Sequence, residues 1–172
     1  WSELRARVDI ALYEGTAPQV VEVLEPRFAP LHGSGLLRIQ IIRAEALATR
    51  GRLLLAARGA DRAAPREIDR LARRLTRERT SYATVYAQLL RAGRCGRRDL
   101  AALVDHLRRA IDGAAQSGMA LHLAAARHYL GGVIGGDEGA GLRAAAAAYA
   151  AREGLRRPER MYAVVAPGLD EP

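Results

Sequence analysis

The sequence predicts an all-α fold in which antiparallel helix pairs stack as a tetratricopeptide-like α-α superhelix (solenoid). Apolar residues recur at helical spacing along almost the whole 172-residue chain. No segment shows the period-two alternation of a strand flanked by hairpin turns. Short connections join the helical segments, so consecutive helices must pack antiparallel. We therefore expect one helical-repeat domain over residues 1–172, with helix in more than about two thirds of the residues.

Nine helices follow from the apolar periodicity and from the residues that interrupt it. Their predicted starts, in chain order, lie near Ser2, Thr16, Leu36, Pro65, Ser81, Leu100, Met119, Gly141 and Pro158. The ends that the sequence marks lie near Glu14, Pro26, Arg58, Arg91, Ile134 and Arg152. Residues 59–64 and 93–96 are predicted to be breaks between helices.

Four of these boundaries follow from the chemistry of single residues. Gly15 is expected to stop the first helix. Thr16 and Gln19 have the spacing of a capping box, which satisfies two backbone donors at a helix start. Pro26 lacks the donor N–H and ends or kinks the second helix, whereas Pro65 suits the first turn of the fourth.

The sixth helix carries the clearest amphipathic pattern. Leu100, Leu103, Val104, Leu107 and Ile111 keep the i, i+3, i+4, i+7 spacing of a buried stripe. Other apolar residues are expected in the core on the same grounds: Val20, Val21, Val23, Leu24, Phe28, Leu31, Leu37, Ile41, Ile42, Ala48, Leu55, Ile68, Leu71, Leu75, Val85, Leu89, Met161 and Val165.

Two glycine pairs, Gly131-Gly132 and Gly135-Gly136, lie where the seventh helix should give way to the eighth. A phosphate-binding loop should follow a strand and open a helix. These glycines instead follow a helix and precede Asp137 and Glu138, so we interpret them as an interhelix turn. Leu130-Gly131 also resembles the small-residue crossing of a tetratricopeptide repeat, whose period is about 34 residues.

The composition restricts the chemistry that the chain can perform. The formal charge is +8, yet all 27 basic residues are Arg, and Lys and Asn are absent. This bias is typical of a GC-rich genome, which weakens the inference from basic charge to nucleic acid. Without Lys, no Walker A loop, Schiff base or kinase ATP-binding Lys exists in the chain. We expect no catalytic residue, metal site or cofactor here.

Cysteine and histidine offer one alternative to that interpretation. Cys95 lies among Arg91, Arg94, Arg97 and Arg98, whose charges would favour its thiolate. His106 follows one helix later, so a Cys–His pair is conceivable. No third orienting group is evident, and the four histidines (His32, His106, His122 and His128) match no metal-binding spacing. Structural or surface roles are therefore favoured for all of them.

An arginine series on the fourth helix is the basic feature with spatial order. Arg66, Arg70, Arg73 and Arg77 recur at i+3 and i+4, opposite the apolar stripe, with Arg62 and Arg74 alongside. Such a series could bind phosphates, acidic peptides or anionic lipid headgroups. The simpler interpretation is a solvated face partly paired with Glu67, Asp69 and Glu78. Aromatic rings for base stacking do not follow until Tyr82 and Tyr86.

Further features of the sequence predict that the chain belongs to a longer protein and where that protein is located. It opens on Trp1 without a secretory segment, so we expect it to be cut from a longer chain. No apolar run approaches the roughly 20 residues that span a membrane. Cys95 is the single cysteine and has no internal partner for a disulfide, which favours a cytoplasmic location.

The last third of the chain resembles a known family. The resemblance is carried by MALHLAAARHYLGGVIGGDEG from Met119 and EGLRRPERMYAVVAPG from Glu153. Both are similar to the C-terminal helical region of large serine/threonine protein kinases from myxobacterial-type bacteria. LYEGTAPQVVEVLEPRF and SGLLRIQIIRAEALA resemble helical pairs upstream in those proteins. The most specific motif is P-x-R-M-x-x-x-x-A-P-G, formed by Pro158, Arg160, Met161, Ala166, Pro167 and Gly168.

The resemblance implies a regulatory or scaffolding tail. In that family a kinase domain, often with an ATPase module, precedes tetratricopeptide-like repeats, and only that upstream domain would hold ATP and Mg²⁺. No kinase motif lies in this chain, so no catalytic residue carries over. Arg157 stands where the family commonly has Asn.

Taken together, the sequence predicts a non-catalytic protein-interaction module. Stacked helix pairs leave a concave groove that can hold a peptide or a partner helix. The alternative is non-specific binding of nucleic acid or an anionic surface through Arg66, Arg70, Arg73 and Arg77. An enzyme built on Cys95 is a third interpretation.

Overall fold

The helical prediction is confirmed over residues 1–57 and 64–169, which the computed structural model describes. Helix accounts for 84% of these residues, and no strand occurs among them. The α-helices are α1 Ser2–Glu14, α2 Ala17–Leu24, α3 Gln40–Ala56, α4 Ala64–Arg77, α5 Ser81–Cys95, α6 Leu100–Gln116, α7 Ala120–Ile134, α8 Gly136–Arg152 and α9 Pro158–Val165. Short 3-10 segments occupy Glu25–His32, Leu36–Arg38 and Gly96–Arg98.

Three predicted boundaries are wrong. α3 starts at Gln40 rather than Leu36, because residues 36–38 form a tighter 3-10 turn. α5 continues through Gly93 to Cys95. Gly93 is buried where a Cβ would lie 2.5 Å from the Pro167 carbonyl oxygen, so this glycine makes room for the C-terminal segment. α8 begins at Gly136, five residues before its predicted start.

The predicted capping box does not form. Thr16 is at the N-cap of α2, but its side chain makes no capping hydrogen bond. Its ψ of 8° departs from the extended conformation that aims a capping hydroxyl at the helix. Among the described helices, α6 does have a side-chain cap, since Asp99 Oδ1 accepts a 3.0 Å hydrogen bond from the Ala102 N–H. Arg157, at the N-cap of α9, makes none.

Most of the predicted core is confirmed. Ile68, Leu71 and Leu75 of α4 are buried, as are Leu103 and Leu107 of α6. Three predicted core residues are wrong, with exposures of 66% for Val23, 44% for Ile41 and 54% for Leu100. Val23 follows Val21 by two residues and therefore lies on nearly the opposite side of α2. Leu100 is in phase with the buried Leu103 and Leu107 but lies in the first turn of α6, and Ile41 lies in the first turn of α3.

The helices pack as successive neighbours and then close on themselves. From α3 to α8 each helix contacts the next in the chain, and α6 lies between α5 and α7. The last helix, α9, returns to contact α1 and α7. In a one-dimensional stack each repeat contacts only its neighbours. The return of α9 to α1 means that an open tetratricopeptide-like superhelix is not confirmed.

The contact between α7 and α8 includes two facing glycines, Gly131 and Gly139. Gly131 lies inside α7, so the prediction that it belongs to a turn is wrong, whereas the close small-residue contact predicted there is present. A Cβ on Gly131 would lie 2.6 Å from the Gly139 carbonyl oxygen and 2.8 Å from Arg143 Cγ. The turn itself consists of Gly135 and Gly136, whose φ values are 62° and 61°.

The close contact between Gly131 and Gly139 can be tested by its effect on stability. We expect Gly131→Ala to lower the free energy of unfolding by about 1–3 kcal/mol, because the added methyl group collides with the backbone of α8. Gly141→Ala is the matched control on α8, since a Cβ at this position would meet nothing within 4 Å. That change should leave stability the same or raise it by up to about 1 kcal/mol. Urea denaturation of both variants checks this, and equal effects would contradict it.

Candidate functional site

A half-open cavity of about 540 Å³ lies between α1, α3, α5, α7 and α9. These are the odd-numbered helices, so one member of each helix pair faces the cavity while α9 closes one side. The residues that line it are Arg5, Asp9, Ile10, Tyr13, Glu14, Glu45, Ala48, Thr49, Arg52, Tyr86, Leu121, His122, Met161, Val164 and Val165. Its volume falls within the range of small-molecule and peptide-anchoring pockets.

Helical spacing places the polar groups of α3 in this cavity. Glu45, Thr49 and Arg52 are spaced i, i+4 and i+7, so they share one face. Arg43 and Arg50 lie on another side of α3, where they pair with Glu78 and Glu67, whereas Leu53, Leu54 and other residues of its last two turns are buried. The helix therefore has one polar face that lines the cavity and a second polar side outside it.

Arg52 is the central polar residue of the cavity. Its Nη1 donates a 2.8 Å hydrogen bond to the Val164 carbonyl oxygen, and its Nη2 donates a 3.0 Å bond to Thr49 Oγ1. Asp9 Oδ1 lies 3.1 Å from Nη1. Burial lowers the pKa of Arg52 and the charge of Asp9 opposes that shift. Arginine stays protonated in proteins, so Arg52 is a fixed cation that ties α3 to α1 and α9.

The carboxylates of the cavity are unequally compensated. Arg5 Nη1 lies 3.0 Å from Glu45 Oε2, and Arg5 Nε lies 3.7 Å from Asp9 Oδ2. Asp9 Oδ1 is buried, yet it accepts no well-aligned hydrogen bond from the described residues, despite the nearby Arg52 charge. Glu14 is exposed at the edge of the cavity and forms no ion pair with another described residue.

Neutral rings form another wall of the cavity. The rings of Tyr86 and His122 have centroids 5.4 Å apart. Burial, with a smaller effect from Arg52, lowers the pKa of His122 to about 4. Burial also raises the pKa of Tyr86. Both side chains are therefore uncharged near neutral pH.

The cavity presents one buried cation, partly compensated carboxylates and neutral rings beside aliphatic side chains. Its hydroxyl groups are those of Thr49, Tyr13 and Tyr86, and Thr49 Oγ1 already accepts a hydrogen bond from Arg52. Within residues 1–57 and 64–169, no group of three or more His, Cys, Asp or Glu could hold a metal ion.

The predicted arginine series lies elsewhere. Arg66, Arg70, Arg73 and Arg77 are all exposed on α4, opposite its buried stripe, and none of them lines the cavity. Arg70 Nε lies 2.8 Å from Glu67 Oε2, and this contact raises the pKa of Arg70. Arg62 lies outside the described residues.

The acidic neighbours of this series are only partly paired with it. Glu67 also pairs with Arg50 at 2.9 Å, and Asp69 Oδ1 lies 3.8 Å from Arg94 Nε. Glu78 pairs with Arg43 at 2.7 Å and not with the series. Arg66, Arg73 and Arg77 form no ion pair with another described residue.

The histidines are held by different neighbours. His106 Nδ1 lies 2.8 Å from Gln88 Oε1, so its ring is oriented by a buried amide. His122 lies against Tyr86, whereas His128 lies 5.1 Å from the Tyr162 ring, as expected for two faces of α7. Cys95 ends α5 and is partly buried. A Cys95–His106 pair remains a sequence hypothesis.

Sequence reasoning missed the cavity. A usable signal was the spacing of Glu45, Thr49 and Arg52 within a helix whose other residues are mainly Ala and Leu. Three polar residues on one face of such a helix indicate either that this face is exposed to solvent or that it lines an interior cavity. The choice between them depends on α1 and α9, more than 140 positions apart in the chain.

Comparisons of the chain with protein-family models, with curated proteins and with solved structures find no match. Within the described residues, no helix combines the length and apolar character that crossing a bilayer requires.

Proposed function

We propose that this chain is a non-catalytic interaction module that holds a segment of a partner protein in the cavity between the odd-numbered helices. The observation that supports the proposal is the cavity itself, which is half-open, mostly aliphatic and aromatic, and furnished with a few fixed polar groups. Such a site selects a ligand by shape and by a small number of hydrogen bonds. The helical pairs α3 to α8 would be a tetratricopeptide-like stack, with α9 against its inner side.

The resemblance to the C-terminal region of bacterial serine/threonine kinases extends this proposal. In that setting the module would follow kinase and ATPase domains in one chain, and ATP and Mg²⁺ would be bound there. Occupation of the cavity would recruit a substrate or change the activity of the kinase in the cytoplasm. The chain itself would transfer no phosphoryl group, because it has no Lys to contact ATP.

A displayed library of random peptides tests the binding function. The chain should enrich a family of related peptides, and Leu121→Trp should abolish the enrichment by filling the cavity. Val23→Trp is the matched control, because Val23 is exposed and does not line the cavity. Both variants must first show the circular dichroism of the parent chain. If Leu121→Trp fails to fold, Ile10→Trp at the cavity edge takes its place.

Two outcomes of the library experiment would count against the proposed function. If the parent chain enriches no related peptides, the cavity is not a peptide site. If the parent chain and the folded cavity variant enrich the same peptides, binding occurs elsewhere on the surface. Either result overturns the proposed function.

The arginine series supports a second candidate function, binding of polyanions. The specific observation is that Arg66, Arg73 and Arg77 are exposed and carry charge that no described acidic residue compensates. Sequence-independent contacts to nucleic-acid phosphates need only such a surface. The rings that could stack bases do not support single-strand recognition, since Tyr86 lines the cavity.

We expect duplex DNA to bind this series without sequence preference and to dissociate towards physiological salt. Removing one arginine that contacts a phosphate should reduce the slope of log affinity against log salt by about 0.9. A variant with Gln at positions 66, 70, 73 and 77 should bind DNA more weakly and with a lower slope, but should retain peptide binding. Fluorescence anisotropy at several salt concentrations measures this. Sequence-selective binding that survives physiological salt and disappears in the variant would instead make nucleic acid the main ligand.

A further inference from the structure

The occupant of the cavity can be specified further, on the basis of the proposed function. We propose that the cavity binds a peptide segment that combines apolar side chains with a basic residue, that Glu14 pairs with this basic residue, and that Asp9 and Arg52 bind the peptide main chain. The groups that remain unmatched in the cavity support each part of this assignment.

The charge of the lining favours a basic segment. Two cations, Arg5 and Arg52, face three carboxylates, so the formal charge of the cavity is −1. Arg5 and Arg52 lie close to Asp9 and Glu45 and largely compensate them. Glu14 is left at the edge as a carboxylate without an ion pair among the described residues. A guanidinium or ammonium group entering there would complete the pairing.

The hydrogen-bonding groups of the cavity favour contacts with the main chain of a bound peptide. Asp9 Oδ1 is a buried acceptor whose 3.1 Å contact is to Arg52 Nη1, and that nitrogen also donates to the Val164 carbonyl oxygen, so Asp9 Oδ1 has room for a further donor. Arg52 uses Nη1 and Nη2 for its contacts with Val164, Thr49 and Asp9, and its Nε donates to no described residue. A peptide unit supplies one N–H donor and one C=O acceptor, which match this acceptor and this donor.

The remaining walls of the cavity favour apolar side chains on the bound peptide. Ile10 is 56% exposed at the cavity and would be covered by an occupant. Leu121, Met161 and Val165 lie deeper, and the thioether of Met161 adapts to side chains of different shape. Tyr13 and Tyr86 also line the cavity, and a cation placed over the face of an aromatic ring is attracted to it.

An acidic or phosphorylated segment does not fit this lining. Its negative charge would meet Asp9, Glu14 and Glu45, while both arginines already have acidic partners. The chain offers its uncompensated arginines on the outer face of α4, where an anionic ligand would bind instead.

Charge variants of one peptide test the assignment. The strongest library peptide is synthesised with its charged positions occupied by Arg, by Gln or by Glu, and each form is titrated by fluorescence anisotropy. We expect affinity to fall in the order Arg, Gln, Glu. Glu14→Gln should weaken the Arg form by about twofold to fivefold, as expected for one exposed ion pair, and should leave the Gln form unchanged. Glu22→Gln, on the exposed side of α2, is the matched control.

Single N-methyl groups along the same peptide test the main-chain contact. Methylation removes one N–H donor without changing charge. We expect one position to weaken binding to the parent chain by about tenfold, and to weaken binding to Asp9→Ala, which has no side-chain acceptor, by less. Uniform tolerance of N-methylation would overturn the main-chain contact.

Three further results would overturn the assignment while leaving the proposed function intact. The first is enrichment of acidic peptides by the library. The second is equal binding of the Arg, Gln and Glu forms. The third is a response of the Arg form to Glu22→Gln as large as its response to Glu14→Gln. Self-association of the chain in sedimentation, abolished by Leu121→Trp, would show instead that a second copy occupies the cavity.

Discussion

Replacing Leu107 with alanine is expected to lower the free energy of unfolding by about 2–5 kcal/mol. Leu107 is fully buried in the middle of α6, the helix that lies between α5 and α7. Truncation removes buried apolar surface and leaves a cavity that two neighbouring helices cannot easily fill. Urea denaturation followed by circular dichroism measures the loss.

Leu100→Ala is the control for this experiment. It makes the same chemical change on the same helix, but Leu100 is 54% exposed in the first turn of α6. We expect its effect to stay within about 0.5 kcal/mol. A loss of that size or smaller at position 107 would contradict the packing of α6.

The second large effect is the dependence of stability on pH that His122 should cause. Burial, together with the Arg52 charge, lowers the pKa of His122 from 6.5 to about 4. Between these pH values the unfolded chain binds a proton that the folded chain does not, so stability must rise with pH. From pH 4 to pH 6.5 the parent chain should gain up to about 3 kcal/mol more stability than the His122→Gln variant.

Urea denaturation at intervals across this range checks the comparison. The pKa of His106 is also lowered by burial, but His106 is present in both chains and its contribution cancels. The carboxylates are likewise present in both chains, so their contributions cancel in the same way. Parallel pH profiles for the two chains would mean that His122 accepts its proton in the folded state near the ordinary pKa.

The helices and their faces could be predicted because both depend on neighbours in the sequence. The first helix was predicted over its observed range, Ser2–Glu14, with Gly15 in the left-handed conformation as its stop. The buried stripe of α4 was predicted as well, since Ile68, Leu71 and Leu75 share one side of a helix. The same geometry placed the arginine series on the opposite, exposed face.

Periodicity alone does not reveal how far a neighbouring helix extends. Leu100 has the correct phase for burial but lies in the first turn of α6, where it is 54% exposed. Gly93 and Gly131 were expected to interrupt or end helices, because glycine destabilises helices in isolation. Both lie inside helices, where the absence of a Cβ lets another backbone come close.

The sequence by itself determined that the chain is helical, where most helices begin, which side of α4 and of α6 is apolar, and that the basic residues of α4 face outward. These properties are set by interactions within about one helical turn. Only the tertiary structure decided that α9 returns to α1 and that the polar face of α3 lines a cavity. Those facts depend on contacts between segments that are far apart in the sequence. The energy of such a contact depends on the area that is buried and on the fit of the two surfaces, and neither produces a periodic pattern in the sequence.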